Sequence, residues 1–162
     1  MLILITNERR IRMKRYLRAA LAALMMLCLT LSGALAQGER DQLYRLMTED
    51  RARYGKPALV LDAQLCRLAQ EKAEDMRDHN YCAHVSPRLG NARQLLTDRG
   101  VSFKGVGENI ARSRDVAHSH AAFLSSWGHR INELSGSWTH VGIGVAVTKS
   151  GFVYVCEVFV RR

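Results

Sequence analysis

The sequence predicts an α+β domain in which helices cover an antiparallel sheet. Apolar residues recur at helical spacing through most of the chain, and from residue 139 onward they alternate with a period of two. Strand and helix patterns do not alternate along the chain, which argues against the parallel sheets of α/β proteins. A length of 162 residues with 48% hydrophobic residues fits one globular domain and leaves little room for a second.

Residues 1–36 are predicted to be a secretory signal peptide. Basic residues within 14–18 precede an apolar stretch over 19–31, and small residues lead up to Ala36, after which we expect cleavage. The apolar stretch is shorter than the roughly 20 residues that span a bilayer. We therefore expect a mature domain of residues 37–162, secreted or periplasmic, with no transmembrane anchor after cleavage. Met13 fits the start of this leader better than Met1 does.

The charge of the mature chain argues against a nucleic-acid partner. The net charge is +9, but residues 1–36 hold six of the 24 basic and one of the 15 acidic residues, which leaves +4 for the rest. This excess is scattered, whereas neutralisation of phosphates needs a clustered basic face. We expect no binding of nucleic acid.

Helical periodicity predicts the elements that precede the sheet. The helices are expected over 39–54, from Asp62 to Met76, over 92–99 and over 115–126. The second is the clearest, because its apolar stripe repeats every three to four residues and includes Lys72. Between the third and fourth helices, Gly105, Gly107 and Asn109 predict a loop.

Two strands are predicted to close the chain as a hairpin. Over 139–147, one face carries valines and Ile143, and the other carries His140, Gly142 and Gly144. Ser150 and Gly151 supply the turn. Residues 152–160 are apolar except for Glu157, which is typical of a strand that is buried on both faces.

The mature chain contains three cysteines, Cys66, Cys82 and Cys156. In an oxidising compartment two of them can pair and leave one over. Cys66 and Cys82 are 16 residues apart, and if most of that interval is helical they lie roughly 20 Å apart, beyond the reach of a disulfide. A Cys66–Cys156 disulfide is favoured over Cys82–Cys156. The alternative is three buried, unpaired thiols.

The candidates for chemistry are dispersed along the chain. Phosphate-binding loops, HExxH, CxxC and GxSxG motifs do not occur. His84 lies in a predicted loop, Glu108 follows Gly107, and His140 begins a strand. Because strand residues two apart share a face, the glycines beside His140 predict either a cleft or a seat for a closely packed helix.

Around these residues the sequence resembles the CAP superfamily of cysteine-rich secretory, antigen 5 and pathogenesis-related proteins, and in particular its small exported bacterial members. The resemblance covers about residues 39–160. It is carried by the helix pattern from Leu61 to Met76, by HVSP at 84–87, GENI at 107–110, GHRIN at 128–132, THVGIG at 139–144 and the closing strand at 154–159. It implies a three-layer αβα sandwich with a central antiparallel sheet and a concave surface that holds two histidines and one or two glutamates.

The resemblance also implies which residues line that surface. His84 and His140 match the two family histidines, and Glu108 matches the glutamate of the GEN motif. Two neutral imidazoles and a carboxylate suit zinc or another first-row divalent ion, with open positions for water.

The second family glutamate has no counterpart in this chain. Trp127 stands where some members have that glutamate. His129 is a further candidate metal ligand if its ring turns inward. Arg130 and Asn132 are expected to brace the loop.

These residues lead to three hypotheses of function. The first is an exported binding module whose His/Glu cleft binds a divalent metal ion and an extracytoplasmic ligand, which is a lipid, a cell-wall polymer or an exported protein. The second is a metal-assisted peptidase or cell-wall hydrolase in which Glu108 acts as the general base. The third is a structural hydrogen-bond network of His and Glu residues without a ligand.

Overall fold

A computed structural model of the protein describes the backbone of residues 2–162 and the side chains of residues 12–27 and 36–162. The chain divides into two compact units, residues 1–35 and 36–162. The end of the predicted signal peptide, residues 28–35, lies outside the described side chains. Within the part of the chain that is described, no helix contains an apolar stretch long enough to cross a bilayer.

The elements of the second unit form one sheet with helices on both faces. Helix α1 (Leu2–Arg53) begins in the first unit and ends in the second. The others follow in the order β1 (Val60–Leu61), α2 (Ala63–Asp78), α3 (Ala92–Asp98), β2 (Gly105–Ser113), α4 (Val116–Ser125), α5 (Trp127–Leu134), β3 (His140–Val147) and β4 (Val153–Arg161). The strands lie in the order β1–β3–β4–β2.

The sheet is antiparallel except at one edge. β3 and β4 form the predicted hairpin, and β2 is antiparallel to β4 on its other side. The two-residue strand β1 is parallel to β3, because the chain passes from β1 directly into α2, which then runs across the sheet. The predicted α+β class is therefore confirmed, with a short parallel strand added to the antiparallel sheet.

Side-chain caps fix the start of three predicted helices. The carboxylate of Asp62 accepts two backbone N–H groups at the start of α2. Asn91 and Gln94 form a capping box at the start of α3, and Asp115 caps α4. All three helices begin within one residue of the predicted position.

The core lies in two layers, one on each face of the sheet. On one face α2 and α3 contribute Leu65, Leu68, Ala69, Ala73, Met76, Leu95 and Leu96, packed against Ile110, Ala146, Tyr154, Val158 and Val160. On the other face α1 and α4 contribute Leu43, Met47, Val116 and Phe123, packed against Val141, Ile143, Val145, Val153, Val155 and Phe159. The three-layer αβα sandwich that the resemblance implied is confirmed.

Gly142 and Gly144 form the seat of α2 on the sheet. A β-carbon at Gly142 would overlap backbone atoms of Leu65, and one at Gly144 would overlap the backbone of Ala69. Of the two interpretations that the sequence left open, the helix seat is therefore correct and the cleft is not.

The outer edge of β3 beyond β1 is covered by side chains of α2. The amide of Gln70 accepts from Val145 N and donates to Val145 O, both at 2.9 Å, as a neighbouring strand would. The thiol sulfur of Cys66 accepts from Ile143 N at 3.5 Å at the same edge. Side chains of α2 thus continue the sheet where β1 ends.

The predicted Cys66–Cys156 disulfide is wrong. Cys66, Cys82 and Cys156 are all free thiols, the first and last buried and Cys82 exposed. Cys66 lies at the outer edge of β3, whereas Cys156 lies on β4, on the other side of that strand. The two cysteines therefore lie on opposite edges of β3.

Three elements were not predicted: β1, β2 and α5. Residues 105–113, which contain the predicted loop, form strand β2, and α5 follows α4 after a break at Ser126, whose backbone is extended. A β-carbon at Gly107 would lie 2.8 Å from Asn132 Oδ1 and 2.9 Å from Trp138 Cζ2, so this glycine lets α5 approach the strand. The glycine that favoured a loop is thus a packing requirement within a strand.

Candidate functional site

His84 and Glu108 form the centre of the candidate site. Glu108 shares a face of β2 with Ile110, the face that α2 covers, and His84 lies in the loop that follows α2. His84 Nδ1 lies 2.6 Å from Glu108 Oε2. The His84 side chain is 56% exposed and that of Glu108 only 7%. An ionised carboxylate can only accept, so Nδ1 donates to it, and in the neutral ring Nε2 is then the acceptor.

Both carboxylate oxygens of Glu108 are engaged. Oε2 accepts from His84, and Oε1 accepts from the Cys156 thiol at 3.8 Å. Burial raises the pKa of Glu108, while the hydrogen bond from His84 and the charge of Lys72 act in the opposite direction. This arrangement orients the His84 ring, as a carboxylate behind a ligating histidine does.

Lys72 is a functional residue that the sequence interpretation missed. The side chain is buried, and Nζ donates to Ala83 O at 2.8 Å and to His84 O at 3.3 Å. Its ammonium group also lies 5.3 Å from the centroid of the Tyr81 ring. Lys72 therefore fixes the loop that carries His84 and places a positive charge near Glu108. The signal was available in the sequence, because a lysine on a buried apolar stripe needs partners.

His129 on α5 is the second imidazole of the site. Its Nδ1 lies 2.9 Å from Ser126 Oγ, and its ring centroid lies 5.2 Å from that of Phe123. Burial, and after it the charge of His84, lowers the pKa of His129. The two imidazoles therefore lie within electrostatic reach of each other.

His140 is not brought to this site. It begins β3, and its Nδ1 lies 2.8 Å from Thr139 Oγ1. The structure joins His84 to Glu108 by a hydrogen bond and brings His129 within electrostatic reach of His84. Within the described residues no contact joins His140 to His84 or Glu108, and β4 lies between the strands that carry His140 and Glu108. The expected grouping of His140 with His84 and Glu108 is therefore not observed.

The other residues of the GHR segment have separate positions. Trp127 is 80% exposed. Asn132 Nδ2 donates to Glu108 O at 3.3 Å, and Arg130 Nη1 donates to Leu124 O at 3.2 Å. Both residues thus brace this region, as predicted.

The side chains at the site are of a kind that binds divalent ions, but they are too few to complete the coordination of one. Of the His, Cys, Asp and Glu side chains that the structure describes, no three are placed to hold a metal ion. His84 and His129 each have Nδ1 engaged, and neither Nε2 atom has a hydrogen-bond partner in the described residues. Held Nδ1 atoms and free Nε2 atoms are typical of ligating histidines. Two imidazoles would need water or a bound ligand to complete the coordination.

A separate groove of about 490 Å³ lies along α2. Its lining includes Arg40, Cys66, Arg67 and Glu74. None of the predicted metal ligands lines this groove.

Comparison with known proteins identifies relatives that match most of this chain. The Bacillus subtilis protein YkwD is 35% identical over 104 residues, which is 64% of this chain and 40% of that protein. An extracellular SCP-domain protein from Bacillus anthracis is 32% identical with a TM-score of 0.75, over 81% of this chain and 43% of its own. The chain thus spans about two fifths of the length of each relative.

A more distant structure shares the fold. An outer surface protein from Borrelia burgdorferi is 19% identical with a TM-score of 0.71, over 77% of this chain and 93% of its own. Residues 44–158 of this chain match the pattern of the family described as "Cysteine-rich secretory protein family". Because that match runs from α1 to β4, the chain belongs to the cysteine-rich secretory protein, or CAP, family.

Proposed function

We propose that this CAP domain is an exported binding module whose site at His84, Glu108 and His129 binds a divalent metal ion such as zinc. The observation that carries the proposal is the pair of imidazoles, each held through Nδ1 and each with an unengaged Nε2. His84 and His129 act as ligands, and Glu108 orients His84 from behind. This role differs from the one that the resemblance implied, in which Glu108 is itself a ligand.

The bound ion would supply a Lewis-acidic position for an oxygen atom of an extracytoplasmic ligand. Lipid headgroups, cell-wall polymers and exported proteins all offer phosphate, carboxylate or carbonyl oxygens. His84, with its exposed ring, lies where such a ligand can approach. The few aromatic residues of the chain give little support to recognition of a sugar by stacking.

The test is calorimetric titration of the folded domain with zinc. We expect His84→Ala and His129→Ala each to lower the zinc affinity by at least about 10-fold. His140→Ala is the matched control and is expected to bind zinc as the unchanged chain does, because its Nδ1 contacts Thr139 Oγ1 and no contact joins it to His84 or Glu108 in the described residues. A ligand set of His84, Glu108 and His140 predicts the opposite ranking of the two histidine variants.

Two other outcomes would overturn the metal proposal. If the unchanged chain does not bind zinc and His84→Ala lowers the melting temperature, the His84–Glu108 pair is a structural brace. If the domain cleaves peptides or peptidoglycan and Glu108→Gln abolishes cleavage, the hydrolase hypothesis replaces the binding module. The geometry favours neither, because both oxygens of Glu108 are already engaged.

Export is the second part of the proposal. It is supported by the basic, apolar and small-residue order of residues 14–36 and by the extracellular relative from Bacillus anthracis. When the full chain is produced in a bacterial host, we expect the extracytoplasmic form to begin at Gln37, as measured by intact mass. Ala36→Phe is expected to retain the leader, because the peptidase requires a small residue there. A chain that stays in the cytoplasm with residues 1–36 intact would contradict export.

A further inference from the structure

Asn109 connects the proposed metal site to a buried polar cluster on the opposite face of the sheet. Consecutive residues of a strand point to opposite faces, so Glu108 faces α2 and Asn109 faces α5. Asn109 is fully buried. Its Nδ2 atom lies 3.3 Å from His129 O, 3.4 Å from Glu133 Oε1 and 3.2 Å from Glu157 Oε2. One amide group therefore contacts the backbone of a proposed ligand and two buried carboxyl groups.

The orientation of the Asn109 amide is fixed by Asn132. Asn132 Nδ2 donates to Asn109 Oδ1 at 3.0 Å and to Glu108 O at 3.3 Å. Because Oδ1 is engaged as an acceptor, Nδ2 must face the two glutamates and His129 O. Only an amide supplies an acceptor on one side and two N–H donors on the other at this position.

We propose that Asn109 is a positioning residue that sets the place of His129 relative to His84. Glu108 holds the His84 ring on one face of β2, and the next residue holds the backbone of α5 at His129 on the other. The separation of the two imidazoles is thus determined by two consecutive residues of one rigid strand. Glu133 and Glu157 anchor the Asn109 amide. The expected effect on zinc affinity rests on the proposed function, whereas the effect of Asn109 on the position of His129 does not depend on it.

The experiment compares Asn132→Ala and Asn109→Ala with the unchanged chain. Asn132→Ala removes the partner of Asn109 Oδ1 from a partly exposed position, so it remains informative if Asn109→Ala does not fold. We expect Asn132→Ala to lower the zinc affinity by about 10-fold, the effect typical of residues behind metal ligands. Glu74→Gln, which replaces an exposed carboxylate of α2, is the matched control and is expected to retain the affinity.

A second readout does not depend on zinc. In the metal-free protein at one fixed pH, the NMR resonances of the His129 ring are expected to shift in Asn132→Ala, while those of His140, at the distant start of β3, stay unchanged. If the melting temperature falls but the His129 resonances and the zinc affinity do not change, Asn109 has only a structural role and the inference is overturned. If the unchanged chain fails to bind zinc while the His129 resonances shift, the positioning is supported and only the proposed function fails.

Discussion

Replacing Gly142 by alanine is expected to destabilise the fold by at least the upper part of the range of about 1–3 kcal/mol that overpacking costs. The added methyl group would overlap backbone atoms of Leu65, and backbone cannot move aside as the end of a flexible side chain can. Relief requires α2 to lift from β3. This would also disturb the contacts of Gln70 and Cys66 with the edge of that strand.

The measurement is urea unfolding of the folded domain, followed by tryptophan fluorescence. Gly142→Ala is expected to lower the unfolding midpoint with little change in slope, which is the signature of lost stability. Gly128→Ala is the matched control, since a β-carbon there meets nothing within 4 Å. Because Gly128 lies in α5, alanine is expected to stabilise it by up to about 1 kcal/mol. Equal unfolding midpoints for Gly142→Ala and Gly128→Ala would contradict the close packing of α2 against β3.

The parts of the fold that the sequence predicted are those that local patterns determine. α2 shows a regular apolar stripe, a capping aspartate at Asp62 and a clear end, and β3 alternates without interruption. β2 could not be recognised in the same way. Its glycines are required by the approach of Asn132 and Trp138, residues that lie more than 20 positions further along the chain. A requirement set by distant residues leaves a local pattern that looks like a turn.

The candidate site was predicted for two of its three groups. His84 and Glu108 occur in compact motifs, and the structure brings them into contact. The place of His129 depends on how α5 packs against β2, and neither of these elements was predicted from the sequence. For Lys72, the position on a buried stripe was evident in the sequence, but its hydrogen-bond partners were not. The carbonyl groups that accept from it lie in a loop whose path only the fold determines.

Strand β4 carries a buried glutamate, Glu157, whose effect on stability the sequence did not reveal. Glu157 is 0% exposed and Glu133 is 1% exposed, and Asn109 Nδ2 lies within 3.4 Å of one carboxylate oxygen of each. The other oxygen of each group, Glu157 Oε1 and Glu133 Oε2, has no hydrogen-bond partner among the described residues. Two buried carboxylates placed in this way are costly to ionise together. Burial, and after it the negative charge of Glu133, raises the pKa of Glu157 well above its ordinary value. The folded protein therefore favours the protonated form of Glu157 up to a higher pH than the unfolded chain does.

The raised pKa makes the stability depend on pH in a definite direction. A glutamate in the unfolded chain ionises at about pH 4.3. Below this pH both states hold the proton, and the contribution of Glu157 to stability is complete. Above it the unfolded chain releases the proton while the folded chain keeps it. The stability therefore falls by up to about 1.4 kcal/mol per pH unit as the pH rises toward the folded-state pKa of Glu157.

Glu157→Gln is expected to remove this loss. The glutamine side chain is neutral and has nearly the same shape, and its carbonyl oxygen can accept from Asn109 Nδ2, so the packing is retained without a proton. Urea unfolding is measured at about pH 4, 6 and 8, and the free energy of unfolding of the variant is expected to exceed that of the unchanged chain by an amount that grows with pH. Glu74→Gln, which replaces an exposed carboxylate of α2, is the control and is expected to follow the unchanged chain. If the curves for Glu157→Gln and the unchanged chain run parallel from pH 4 to 8, then the pKa of Glu157 is not raised in the folded protein.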